Sequence, residues 1–191
     1  MGEQMEILQG YVNDMLAVEN EIHQAFRRQK HSDKPASVNA EAAQLIARIE
    51  DTIDRHIADL KRTLERIGGS ESQLKKAVGA ALGAIAGLYD QVRDETVSRM
   101  VRDDYAALNF AAACYQMLHT TALAMHDQRI ADLALKHLEE FAPLIMDLSQ
   151  VLPSVVLNEL QKDGTVAADA SVADEAARNS RNAWMQGASV H

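Results

Sequence analysis

The sequence has few of the residues that build disulfide-rich or aromatic-rich domains. Its 191 residues include one cysteine, three prolines and only 4% aromatic side chains. The single cysteine, Cys114, excludes a disulfide bond within the chain and is typical of proteins from a reducing compartment. Because proline interrupts helices, its scarcity beside abundant alanine, leucine and methionine favours an all-helical fold.

The sequence also lacks blocks of basic residues and membrane-length apolar runs. The net charge is -9 and lysine and arginine are scattered, so we expect no nucleic-acid partner, which would need a clustered basic surface. The stretch "AVGAALGAIAGLY" is shorter than the roughly 20 residues that cross a bilayer. No basic segment followed by an apolar core opens the sequence, so we expect no secretion signal. The sequence therefore predicts a cytoplasmic protein with no membrane partner.

Apolar residues recur at spacings of three and four along four long segments, as in helices that pack against other helices. Either Ser37 or Asn39 caps the second of these helices. A further helix, capped by Ser70 or Ser72, is expected to link the second and third. Four long helices with short connections predict a four-helix bundle. The long helices are expected over about residues 3–29, 39–67, 97–125 and 129–151, with Pro153 ending the last.

The end of the sequence differs from the rest. Residues 163–191 are polar and alanine-rich, and their largest apolar side chains are Trp184 and Met185. We expect one bundle domain over residues 1–162, because a chain of this length buries one core. The tail over 163–191 is expected to be partly disordered or to hold one short helix that Trp184 docks.

Two glutamates lie on apolar helix faces. Glu19 falls on the stripe of the first helix and Glu50 on that of the second. A buried carboxylate is costly unless a metal ion, a cation or hydrogen-bond donors meet it. A dimetal site in a bundle takes a glutamate from each of two helices and a Glu-x-x-His pair from each of the other two. No intact pair is present, because Ile53 follows Glu50, and His137 precedes Glu140 in the reverse order.

Four segments that contain these residues occur in the order "DMLAVENEIHQAF", "IEDTIDRH", "LNFAAACYQML" and "KHLEEFAPLIMDL". In order and spacing they resemble the YciE/YciF family of ferritin-like bacterial stress proteins, over roughly residues 5–152. The resemblance implies a ferritin-like four-helix bundle with an additional linking helix and a C-terminal tail. It places Glu19 at a metal-ligand position and Tyr115 at a tyrosine of the third long helix.

The same resemblance marks departures from the family. Where the family has two glutamates and a histidine in the third long helix, this chain has Leu108, Ala111 and Asn109. Phe141 replaces a glutamate of the last helix. The second-helix histidine corresponds to Ile53, or to Asp54 if the alignment shifts by one residue. The resemblance therefore implies that apolar side chains fill much of a former metal site, which leaves too few ligands for two ions.

Two functional hypotheses follow from the sequence. The leading one is a non-catalytic, stress-associated ferritin-like protein without a cofactor, which acts through its surface, on an unidentified protein partner or as a homodimer. Its inward carboxylates would be hydrogen-bonded within the bundle, for example to His56, Tyr105 or His137. The alternative is a carboxylate-bridged iron or manganese metalloprotein or oxidase. Its metal ligands would be Glu19, Glu50, His56, His137 and Glu140.

Overall fold

The fold is all-helical throughout the part of the chain that the structure describes. The computed structural model describes residues 2–69, 96–167 and 169–188, with side chains as far as residue 186. No strand occurs within these ranges, so the all-α prediction is confirmed for them. The expected linking helix and its caps, Ser70 or Ser72, lie outside the described residues. The described helices are α1 (Gly2–Lys30), α2 (Lys34–Val38), α3 (Ala40–Arg66), α4 (Val97–Ala124), α5 (Gln128–Lys162) and α6 (Ala170–Ala188).

The four long helices α1, α3, α4 and α5 form a bundle around one core. Helix α1 packs against α3 and α4, and α5 packs against the same two helices, so the four close into a ring. Each burial of a large aliphatic side chain contributes about 1.5–3 kcal/mol, which makes this core the main source of stability. The helical-bundle prediction is confirmed. The core side chains include Val12, Leu16, Ile22, Phe26, Leu45, Ile49, Ile53, Leu60, Leu108, Tyr115, Phe141 and Leu148.

The start and end of α3 follow local sequence signals. Asn39, and not Ser37, is its N-cap: the Asn39 side chain accepts a hydrogen bond from the amide of Ala42 at 2.9 Å. Ser37 belongs instead to the five-residue helix α2, which directly precedes α3. Gly68 follows α3 with φ of 75°, a left-handed conformation that glycine adopts without strain.

Helix α5 corrects one predicted boundary. Pro153 was expected to end it, but the helix continues through both Pro143 and Pro153 to Lys162. A proline inside a helix costs about 3 kcal/mol through a lost hydrogen bond and a ring clash. Here the turn after Pro153 buries Val155 and Leu157 against the bundle. Tertiary packing therefore outweighs the local cost.

The C-terminal tail differs from expectation in which side chains hold its helix to the bundle. It contains a helix of 19 residues, α6, which packs along α5. The Trp184 side chain is 60% exposed, so it does not dock this helix. A polar contact at the same interface is the hydrogen bond from Arg181 Nη2 to Gln150 Oε1 at 2.7 Å.

Helix α5 is the only described helix that is long and apolar enough to cross a membrane, with a mean hydropathy of 1.3 in its most apolar part. This property by itself is weak support for a membrane span, because the core helices of other proteins share it. In the bundle, one face of α5 packs against α3 and α4.

Candidate functional site

Glu19 lies inside the bundle, where side chains of two other helices contact its carboxylate. Its side chain is fully buried, as the apolar stripe around it on α1 requires. The Tyr115 hydroxyl, from α4, donates a hydrogen bond to Glu19 Oε1 at 2.6 Å. His56 Nδ1, from α3, lies 3.1 Å from the same oxygen. The second oxygen, Oε2, is buried and has no hydrogen-bond partner.

His56 bridges two carboxylates. Its Nδ1 contacts Glu19, and its Nε2 lies 3.1 Å from Oε2 of Glu140 on α5. Carboxylate oxygens only accept hydrogen bonds, so both contacts are satisfied when both ring nitrogens carry a proton. His56 is then a buried imidazolium between two negative charges.

His137 is the neutral member of the cluster. Burial, followed by the positive charge of His56, lowers the pKa of His137 to about 3. Its Nδ1 lies 2.8 Å from the Tyr115 hydroxyl oxygen. The Tyr115 hydroxyl donates its single proton to Glu19. Its oxygen therefore accepts a hydrogen bond from Nδ1–H of His137. The pKa of Tyr115 is raised well above its ordinary value by burial and then by the charge of Glu19, so this phenol stays protonated.

Charged side chains on α3 and α5 surround the outer edge of this cluster. Burial alone would raise the pKa of Glu140, but its hydrogen bond to His56 and the charge of that ring outweigh burial and lower it. The pKa of Asp59 is likewise lowered, because the hydrogen bond and the positive charge of Lys136 outweigh the effect of burial. Lys136 Nζ lies 3.2 Å from Asp59 Oδ2 and 3.7 Å from Glu140 Oε1. The carboxylates at this edge therefore have cationic partners from the protein.

Apolar residues occupy the positions that a dimetal site would need for further ligands. Ile53 precedes His56 by three residues, and Ala134 precedes His137 by three. Both are fully buried. Each pair therefore keeps the spacing and the histidine of Glu-x-x-His, with an aliphatic residue in place of the glutamate. In α3, His56 is then the histidine of the pair, and Ile53 stands at the glutamate position and not at the histidine position that the family resemblance implied. Sequence reasoning missed this because it searched forward from glutamates, whereas a search backward from the two histidines finds both pairs.

The apolar replacements inferred from the sequence are buried in the same core. Leu108 and Ala111 of α4 and Phe141 of α5 are fully buried, and Phe141 packs 4.8 Å from the His56 ring centre. Asn109 is exposed, and its amide donates to the Tyr105 carbonyl oxygen at 2.7 Å. These side chains offer no ligand atom to an ion near Glu19.

Glu50 does not join the other predicted ligands. Glu19, His56, His137 and Glu140 form one connected cluster, with Tyr115 and Asp59 as members that the sequence did not assign. The α3 residue that contacts Glu19 is His56 and not Glu50. Glu50 instead pairs with Lys30 and lies near His23, both on α1. This second group lies nearer the C-terminal end of α1.

Comparison with known families agrees with this architecture. The family model described as a domain of unknown function, DUF892, matches residues 4–161 and therefore covers most of the chain. The chain belongs to the DUF892 family. DUF892 is a ferritin-like superfamily domain, so the family assignment agrees with the helical bundle. No curated protein and no solved structure gave a significant match.

The DUF892 match ends close to the end of α5, at residue 161. It includes every residue of the Glu19 cluster, whereas α6 lies beyond it. The candidate site therefore belongs to the DUF892 bundle.

Proposed function

We propose that this DUF892 protein is a non-catalytic ferritin-like bundle in which hydrogen bonds replace the dimetal centre. The observation that carries the proposal is the 2.6 Å hydrogen bond from Tyr115 to Glu19, the residue at the expected metal-ligand position. With His56 on the same oxygen, the donors that a buried carboxylate needs come from the protein.

The available donors do not fit a pair of metal ions. A dimetal site of this class uses four glutamates and two histidines. Here the histidines are present, but Ile53 and Ala134 replace two of the glutamates. Glu140 and Asp59, at the outer edge, already pair with cations from the protein. Two divalent ions would therefore keep uncompensated positive charge inside the core.

One observation favours the alternative, an iron or manganese metalloprotein. Glu19 Oε2 is buried without a hydrogen bond, and the structure gathers four of the five expected ligands. An ion bound by Glu19, His56 and His137 would have to displace the proton from the coordinating nitrogen of His56. The proposal and this alternative therefore differ in whether bound metal depends on Glu19.

The test is iron loading with a matched control. The chain is loaded anaerobically with ferrous iron and desalted, and iron per chain is measured in wild type, Glu19→Gln and Glu139→Gln. Glu139 is an exposed carboxylate beside Glu140 and serves as the control. We expect the same retained iron in all three proteins. Near-stoichiometric iron that is lost only in Glu19→Gln would overturn the proposal and establish the metalloprotein.

The proposed biological role is stress-associated action through the surface, in the cytoplasm, with a homodimer as the functional unit. Its support is the resemblance to ferritin-like stress proteins and the apolar side chains that α4 leaves exposed, Met117 and Leu123. Light scattering of wild type and Met117→Lys tests the homodimer. We expect a dimer that Met117→Lys weakens, and a monomeric wild type would contradict it.

A further inference from the structure

A second group of potential ligands lies between α1 and α3, apart from the Glu19 cluster. His23 of α1 faces Glu50 and Asp54 of α3, which are four residues apart and so project from the same side of the helix. His23 Nε2 is 3.5 Å from Glu50 Oε1 and 2.9 Å from Asp54 Oδ1. The three ligand atoms lie within 4.8 Å of one another.

This spacing suits a single zinc ion. Zinc binds histidine nitrogen and carboxylate oxygen at about 2.0–2.2 Å, so tetrahedral geometry places neighbouring ligand atoms roughly 3.3 Å apart. The two distances from His23 Nε2, 2.9 and 3.5 Å, lie on either side of that value, and the two carboxylate oxygens lie within 4.8 Å of each other. One imidazole nitrogen and two carboxylate oxygens, with water completing the coordination, are ligands of the kind that zinc accepts.

The missing hydrogen bond at His23 Nε2 also points to a ligand. This atom is shielded from solvent and makes no hydrogen bond, although carboxylate oxygens lie close to it. Buried polar atoms in proteins are nearly always satisfied, and those that are not often mark a missing ion or water. A metal ion between the nitrogen and the two carboxylates would satisfy all three atoms together.

The local charge favours a divalent cation. Glu50, Asp51 and Asp54 carry three negative charges, and Lys30 and Arg55 supply two positive charges beside Asp51, which leaves a formal charge of minus one. Lys30 Nζ holds the other oxygen of Glu50 at 2.5 Å and contacts Asp51 Oδ1 at 2.8 Å. Lys30 thereby fixes the orientation of Glu50 and leaves its Oε1 directed toward His23.

We propose that His23, Glu50 and Asp54 form a mononuclear Zn²⁺ site that joins α1 to α3. The site goes beyond the proposed function, since it needs no residue of the Glu19 cluster. The Asp54 side chain is 58% exposed, so the ion exchanges with solvent and keeps bound water. Zinc stabilises the folded chain by an amount that grows with the logarithm of free zinc above its Kd, because the unfolded chain does not hold the three ligands together.

The experiment is titration calorimetry of the full chain with zinc chloride after removal of metal by a chelator. We expect one ion per chain in wild type, and binding at least about tenfold weaker in His23→Gln and Asp54→Asn, since each removes a direct ligand. Glu65→Gln is the matched control, because it neutralises an exposed carboxylate of the same helix that takes no part in the site. Glu19→Gln is expected to bind zinc as wild type does, which separates this site from the Glu19 cluster.

A second readout keeps the proposal testable if a variant is less stable. Zinc is expected to raise the melting temperature of wild type, Glu65→Gln and Glu19→Gln, and to raise that of Asp54→Asn by much less at the same zinc concentration. Asp54 is exposed, so its replacement leaves the core intact. Absence of 1:1 binding in wild type, or equal binding in wild type, His23→Gln and Asp54→Asn, would overturn the site.

Discussion

The rings of His56 and His137 stack with their centres 3.8 Å apart and their planes 7° from parallel. One ring lies between two carboxylates, whereas the other is buried and has its pKa lowered to about 3. The two adjacent imidazoles therefore have different hydrogen-bond partners, two carboxylates for His56 and the Tyr115 hydroxyl for His137. Their shared environment, an interior cluster with a single fully buried carboxylate, favours only one positive charge.

The first prediction concerns pH. The pKa of His137 falls from 6.5 to about 3 on folding, so between these values the unfolded chain binds a proton that the folded chain does not. The contribution of His137 to stability is therefore complete above about pH 6.5 and decreases as the pH falls toward 3. When the pH falls from 7 to 5, we expect the loss of this His137 contribution to lower the free energy of unfolding by about 2 kcal/mol.

Urea denaturation of wild type and His137→Asn at the two pH values tests this prediction. Asparagine keeps a donor near the Nδ1 position but does not titrate. We expect the free energy of unfolding of the variant to change less between the two pH values. Equal changes in both proteins would show that His137 is not kept neutral by folding.

The second prediction concerns the buried carboxylate. Glu19→Gln keeps an oxygen that accepts from Tyr115, so we expect it to be nearly neutral for stability. Glu19→Leu leaves the buried hydroxyl of Tyr115 and the nitrogen of His56 without their acceptor, which should cost about 1–3 kcal/mol. Chemical denaturation near pH 7 measures both. Equal losses in the two variants would contradict the hydrogen-bonding account.

The third prediction restores the two Glu-x-x-His pairs. The double variant Ile53→Glu with Ala134→Glu adds two buried carboxylates beside Glu19, His56 and His137. Without metal we expect a lower melting temperature than wild type, because the new charges are desolvated. Manganese should raise it again in this variant and not in Ile53→Gln with Ala134→Gln, the uncharged control. A variant whose melting temperature does not respond to manganese would speak against a former dimetal site at this position.

The fourth prediction concerns the C-terminal helix. Removal of residues from Gly164 onward should leave the bundle folded, since the large apolar side chains of α6 remain exposed, Trp184 at 60% and Met185 at 63%. We expect only a small change in melting temperature. A large decrease would show that the packing of α6 on α5 completes the core.

The fifth prediction separates the two residues considered as the cap of α3. Asn39→Ala removes the acceptor for the Ala42 amide and should cost about 1 kcal/mol. Ser37→Ala, at an exposed residue of α2, should have little effect. Thermal denaturation of both variants measures the two losses of stability. A greater loss in Ser37→Ala than in Asn39→Ala would show that Asn39 is not the cap of α3.

The sequence alone predicted much of the bundle. The expected helices over about 3–29 and 97–125 compare with Gly2–Lys30 and Val97–Ala124 in the structure. These boundaries were predictable because apolar periodicity is a local pattern that begins and ends with the helix. The sequence also identified Glu19 as anomalous, since an isolated charge on an apolar stripe is visible without any tertiary contact.

Tertiary structure decided what each inward polar group contacts. Tyr115 lies 96 positions from Glu19, and His56 lies 84 from Glu140, so no local pattern could pair them. It also decided that α5 continues past Pro153, because packing of Val155 outweighs the local cost of proline. Local sequence thus determined the helices and their apolar faces. Their rotation and offset, set by packing of the whole core, joined Glu19 to Tyr115 and His56 and directed Glu50 to Lys30 and His23.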